Sequence, residues 1–132
     1  MASVASQLRT IAQKTGRDVE TVVKRTNIQL FSAIVAKTPV DKGILRGGWV
    51  AQTNVEPYEE TERQDKSGSI VVNVAREVNG DMKIGDEFWF VNAVPYASYV
   101  ENGTDRQQAQ GMVKLSVRDI LGIVKREAAR IV

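Results

Sequence analysis

Apolar residues recur at helical spacing toward both ends of the chain, and between them lie β-branched and aromatic runs bounded by Gly, Pro and Asn. Together these patterns predict an α+β fold. Its expected parts are an N-terminal long or broken helix, an antiparallel sheet of three to four strands, and a C-terminal helix packed on one face of that sheet. The chain has 132 residues, 42% of them hydrophobic and 26% charged, a balance that predicts a single folded domain over residues 1–132.

The first helix is carried by Val4, Leu8, Ile11 and Ala12, and the spacing resumes with Val19, Val22, Val23, Leu30, Ile34 and Val35. Thr15-Gly16 marks the break. Thr15 or Asp18 can cap the second segment, and Pro39 stops it near Lys37, because the residue before proline is pushed out of the helical region. Residues 49–55 alternate and read as a first strand that Pro57 closes. Residues 56–68 hold five acidic side chains and read as a solvated acidic loop. The β-branched run over residues 69–74, extending toward Val78, reads as a second strand, with a turn at Asn79-Gly80-Asp81. A further turn at Ile84-Gly85-Asp86 leads into a strand over residues 87–92. Residues 112–132 then place Val113, Val117, Ile120, Leu121, Val124, Ala128 and Ile131 on one helical stripe, with Gly122 suggesting a close helix contact. From these elements Val22, Leu30, Ile34, Trp49, Val72, Phe88, Phe90, Ile120 and Val124 are the expected core.

The chain has neither cysteine nor histidine, so disulfides, thiolate metal sites and the commonest general base are excluded. Catalysis would rest on carboxylates, Lys or Tyr. The adjacent pairs Glu59 with Glu60 and Asp86 with Glu87 point their side chains in different directions and read as solvated charge, so no catalytic residue, cofactor or metal site is expected. Residues 1–14 lack the apolar core of a secretion signal, and no run approaches the roughly 18 apolar residues of a membrane span. Charge is uneven: residues 1–46 carry +5, residues 47–105 carry −7 and residues 106–132 carry +4. Such a distribution suits a protein whose acidic and basic surfaces meet different neighbours.

Two segments hold most of the information. In residues 38–49, Thr38-Pro39-Val40-Asp41-Lys42-Gly43-Ile44-Leu45-Arg46-Gly47-Gly48-Trp49, Pro39 fixes φ, Asp41 suits an Asx turn and Gly43 can take a positive φ. Leu45 and Trp49 anchor the return, and Gly47-Gly48 suggests close approach of another backbone. In residues 92–104, Pro95 starts a single helical turn with Tyr96 and either Tyr99 or Val100 on one side, which Gly103 ends. A polar connector over residues 105–111 follows.

A helix, a T-P-V-D-K-G-x-L-R-x-G-W turn, a sheet ending in V-P-Y-A-x-Y-V-E-N-G-T, a polar loop and a last helix together resemble the small neck and tail-completion proteins of long-tailed bacteriophages, over about residues 30–121. Lys42-Gly43 stands where that family commonly has Thr-Gly, and Ala109 where its loop often has proline. The resemblance implies a structural virion protein of the head-to-tail junction, made in the host bacterial cytoplasm. Copies would form a homo-oligomeric ring, hexameric by analogy with the sixfold tail tube, between the connector and the tail tube or tail terminator proteins. Genome DNA would pass through without specific binding, past a lumen or neighbouring ring faced by part of the acidic block. Pro39, Asp41, Gly43, Leu45, Arg46, Trp49, Pro95, Tyr96, Tyr99, Glu101 and Gly103 are then fold and interface residues. The alternatives are a tail terminator capping the tube and, from a different class, a small basic nucleic-acid-binding protein, for which the pI near 9.0 argues but no base-reading motif does.

Overall fold

In a computed structural model of the chain, residues 3, 4, 6 and 16–130 are described. The order is α1 (Gly16–Lys37), α2 (Ile44–Gly47), β1 (Trp49–Thr53), α3 (Ser69–Asp81), β2 (Phe88–Asn92), α4 (Ala97–Asn102), α5 (Met112–Arg118) and α6 (Ile120–Ala129). The expected helical positions Leu8, Ile11 and Ala12, the cap Thr15 and the stripe residue Ile131 lie outside the described residues.

Helix α1 is the spine. It ends at Lys37, before Pro39 as expected, and α3, α5 and α6 all pack against it. Its Phe31 meets the rings of Phe88 and Phe90 at centroid distances of 6.0 and 5.6 Å, which brings the sheet onto the same helix. The described sheet has two strands instead of the expected three to four. β1 and β2 pair antiparallel from Trp49 opposite Asn92 to Thr53 opposite Phe88. Two strands alone are marginal in water, so α1 and α3, which also packs on β1, supply the apolar cover.

The missing strand is α3. Its β-branched residues suggest a strand, yet Val71, Ala75 and Asn79 are buried at intervals of four, the helical repeat. The deciding residue lies upstream. Asp65, expected to be solvated with the rest of the acidic loop, is buried and accepts hydrogen bonds from the amides of Gly68 at 3.0 Å and Val71 at 2.9 Å. A carboxylate on first-turn amides satisfies donors that have no partner within the helix.

The predicted turn at Asn79-Gly80-Asp81 is instead the last turn of α3. The Asn79 side chain is buried, donates to the Lys24 carbonyl at 2.9 Å and accepts from the Asn27 amide at 3.0 Å, holding α3 to α1. The turn at Ile84-Gly85-Asp86 does form. There the Lys83 amide, first, and the Asn54 side chain hold the Asp86 carboxyl below the ordinary range for aspartate.

The C-terminal helix also departs from expectation. It breaks at Asp119 into α5 and α6, and both pack on α1 instead of on the sheet. The break leaves the helical phase intact, and the buried face is simply offset by about one residue from the apolar stripe read from the sequence. Met112, Ser116, Ile123 and Glu127 are buried, while Val113, Val117 and Leu121 are exposed. Buried Glu127 accepts a hydrogen bond from Gln29 of α1 and pairs with Arg130 at 3.2 Å. No other group lies within 4 Å of where a Cβ on Gly122 would stand, so this glycine opens a gap where a close contact was expected.

The main cluster joins Ile34, Val35, Leu45, Trp49, Val71, Val94 and Met112, with Leu30, Val72 and Phe90 packed against it. Of the nine expected core residues, Leu30, Ile34, Trp49, Val72 and Phe90 belong there. Val22 is buried outside that cluster, Phe88 sits beside Phe31, and Ile120 and Val124 are only half-buried, because α6 turns a different face to α1.

Candidate interface

The first turn follows α1 directly and is built inward. Thr38 is buried at the helix end; its hydroxyl donates to the Ile34 carbonyl at 2.8 Å and accepts from the Trp49 indole N–H at 3.0 Å. The Trp49 ring lies parallel to Phe90 at 4.9 Å. Arg46 donates to three carbonyls: Thr38 at 2.9 Å, Lys66 at 2.8 Å and Ala36 at 3.4 Å. Two of those carbonyls belong to the end of α1, where helical carbonyls lack partners and a cation is favoured. Arg46 therefore works as a brace.

Gly43 takes the positive φ expected of it, +85°, and a Cβ there would press on the backbone of Asp65 and Lys66. Its carbonyl accepts from the Asp65 amide at 2.9 Å, so the acidic loop folds back over the turn. Gly47 meets the expectation of close approach, since a Cβ on it would collide with the Arg63 carbonyl. Arg63 completes the junction, its guanidinium donating to the carbonyls of Gly47 at 3.1 Å and Trp49 at 2.8 Å.

The second turn is built the other way. Pro95 and Tyr96 precede α4, and Gly103 ends it, as its sequence predicts. None of the residues of α4 is fully buried; Tyr96 is 46% exposed and Tyr99 60%. Glu101 is the exception in role, because its two carboxylate oxygens accept the amides of Val113 at 2.9 Å and Lys114 at 3.0 Å, capping α5. The polar connector is tied to the same helix, with the Gln110 amide bonded to the Val100 carbonyl at 2.9 Å and the Gly111 amide to that of Glu101 at 3.1 Å.

The two turns meet. A cleft of about 530 Å³ lies between Pro39, Asp41, Gly43 and Leu45 of the first turn, Tyr96 and Val100 of the second, and Gln107, Gln108 and Gln110 of the connector. Asn92 links them from behind, donating to the Leu45 carbonyl at 2.7 Å and accepting from the Val94 amide at 3.1 Å. Of the residues singled out from sequence, Pro39, Asp41, Gly43, Leu45 and Tyr96 line the cleft. Trp49 faces the interior, half-buried Arg46 lies along backbone carbonyls, Glu101 faces α5, and Pro95 and Tyr99 are exposed beside the cleft. Sequence reasoning missed Arg63, Asp65 and Asn92. For Asp65 the usual signal was absent, because it lies three residues ahead of the N-cap Gly68 and not at the capping position itself.

Among the described residues, no group of three or more His, Cys, Asp or Glu is placed to hold a metal ion, and no helix is long and apolar enough to cross a membrane. The arrangement offers a braced turn, two exposed tyrosines and a cleft of mixed polar and apolar lining, which are means of recognition by contact.

A search of curated proteins and a search of solved structures returned no match. A family model described as "Bacteriophage HK97-gp10, putative tail-component" matches residues 2–103, which include both turns, the two strands and α4. The match spans well over half of the 132 residues and ends at the glycine that closes the second turn. The chain therefore belongs to the HK97-gp10-like family of bacteriophage tail components.

Proposed function

We propose that this tail component is a ring-forming subunit of the head-to-tail junction, which completes the tail or joins it to the DNA-filled head. As a member of a tail-component family it is a structural part of the virion. The finer reading rests on one observation: the two turns most characteristic of the sequence converge on one cleft, with Tyr96 and Tyr99 left in solvent beside it. Large aromatic side chains held on a fixed turn are favourable anchors for a protein neighbour, because they bury much area at little cost in side-chain freedom. In this reading the cleft faces the connector or the tail tube, and a hexameric ring matches the symmetry of the tube.

The experiment is to grow the phage without the chain. Full heads and finished tails of normal length that remain separate are the expected products, and adding the purified protein to the lysate should join them. Tails of uncontrolled length would instead favour the terminator role. Normal particles without the chain would exclude both.

A further inference from the structure

Resting on the ring reading above, we infer that neighbouring copies are joined by the acidic loop of one subunit seated in a basic groove of the next, with Tyr58 as its anchor. The loop runs between β1 and Asp65. In it Tyr58 is 82% exposed, and Glu56, Glu59, Glu60 and Glu62 are exposed around it. None of the four carboxylates takes part in a salt bridge among the described residues. Of the two cations in this segment, Arg63 is turned inward onto the carbonyls of Gly47 and Trp49, and exposed Lys66 lies beyond buried Asp65. An exposed aromatic ring among four unpaired carboxylates is complementary to a basic, partly apolar receptor.

The same chain carries such a receptor. A groove of about 520 Å³ runs between α1 and the α5–α6 pair, lined by Ala33 and Lys37 on one wall and Arg118, Gly122, Ile123 and Arg126 on the other, with three cations against the single carboxylate of Asp119. Lys37 and Arg126 are in no salt bridge among the described residues, and Arg118 has only exposed Asp119 at 3.4 Å. The centre of the groove is small and apolar. Gly122 has nothing within 4 Å of a would-be Cβ, Ala33 stands opposite, and Ile123 is buried beneath. That is room for an aromatic ring, with cations placed around it for carboxylates. Loop and groove are different surfaces of one chain, so the contact is head to tail and propagates around a ring, as a heterologous interface does when its rotation closes. The groove is built partly from α5 and α6, which lie beyond the residues matched by the family model.

The chain contains no cysteine, so introduced thiols report without background. Phage particles are assembled with the full chain carrying Val55→Cys and Lys125→Cys together, which flank the anchor and the groove and leave both intact, and treated with a short thiol-to-thiol linker. Both positions are open, and Glu60→Cys with Arg126→Cys gives a second pair should the first fail to fold. The expected result is a ladder of linked multimers of this chain, absent from either single-cysteine variant. A parallel sample is treated with an amine-reactive linker that joins any close neighbours. Multimers from the amine linker with only monomer from both cysteine pairs would overturn the loop-in-groove contact and leave the ring standing. Linkage within one chain, or to another virion protein, would overturn it as well. Monomer under every linker would overturn the ring reading itself.

Discussion

The turn after α1 and the turn around α4 are written in similar residues: a proline to open, a glycine to reverse or end, and aromatics close by. Their side chains do opposite things. Leu45 and Trp49 of the first are buried and Arg46 is spent on three carbonyls, whereas Tyr96 and Tyr99 of the second stand in solvent. The first turn holds the fold, and the second presents a surface while Glu101 fixes its position. Residue type alone does not distinguish holding from presenting. What distinguishes them is whether unpaired backbone groups lie within reach, as the end of α1 provides for Arg46 and the start of α5 for Glu101.

The largest test of this contrast is Trp49→Ala. It removes the ring stacked on Phe90 and the donor to Thr38, and by analogy with large-to-small core changes should cost about 3–5 kcal/mol. A urea titration followed by far-ultraviolet circular dichroism measures it, and an unchanged midpoint would break the account of the first turn as a structural brace. Arg46→Ala comes next, at about 2 kcal/mol, since it strands carbonyls that a charged donor had satisfied. Arg46→Lys should recover less than half of the loss, because one ammonium cannot reproduce the fork of a guanidinium. Full recovery by lysine would reduce the brace to a simple charge effect.

Glu101→Ala sharpens the comparison from the other side. Losing the acceptor for the amides of Val113 and Lys114 should cost about 1 kcal/mol, in the range of a lost helix cap. The change should be local. Amide hydrogen exchange should accelerate in α5 while α1 and α3 stay protected, and uniform acceleration would mean that α5 is no separate unit of stability.

Both turns were legible in the sequence because their chemistry is local: a proline, a positive-φ glycine and the neighbouring anchors specify the chain reversal without reference to the rest of the fold. The α+β class was legible for the same reason at the level of periodicity. The strand count was not. Ile70, Val71, Val72 and Val74 satisfy a strand preference, and α3 forms because Asp65 caps it and α1 receives Asn79, contacts from outside the segment. The buried face of α5 and α6 was hidden because Val113, Val117 and Leu121 draw an apolar stripe about one residue away from it, on the side that faces solvent. Glu127 compounds this, since a carboxylate would be assigned to the solvent face unless its partner Gln29, far away in sequence, were known.

The smallest effect on stability should come from the residues proposed above to make the contact. Tyr96 and Tyr99 touch little of the core cluster, and surface substitutions of this kind usually change stability by within about 0.5 kcal/mol. A Tyr96→Ala, Tyr99→Ala variant should therefore unfold at nearly the wild-type midpoint. If the second turn is the presenting surface, the same variant should fail to join heads to tails, with full heads and free tails separating on a gradient while the folded protein accumulates unincorporated. Arg46→Ala, less stable by more, should join them normally wherever it remains folded, because its guanidinium is engaged by carbonyls of its own chain. The contrast lies in the ratio of the two readouts, which a general loss of folding would move together. A tyrosine variant that folds and assembles normally would return the contact to some other face, such as the rim of the cleft at Val40 and Asp41. A tyrosine variant that unfolds would show that the second turn, too, is a brace.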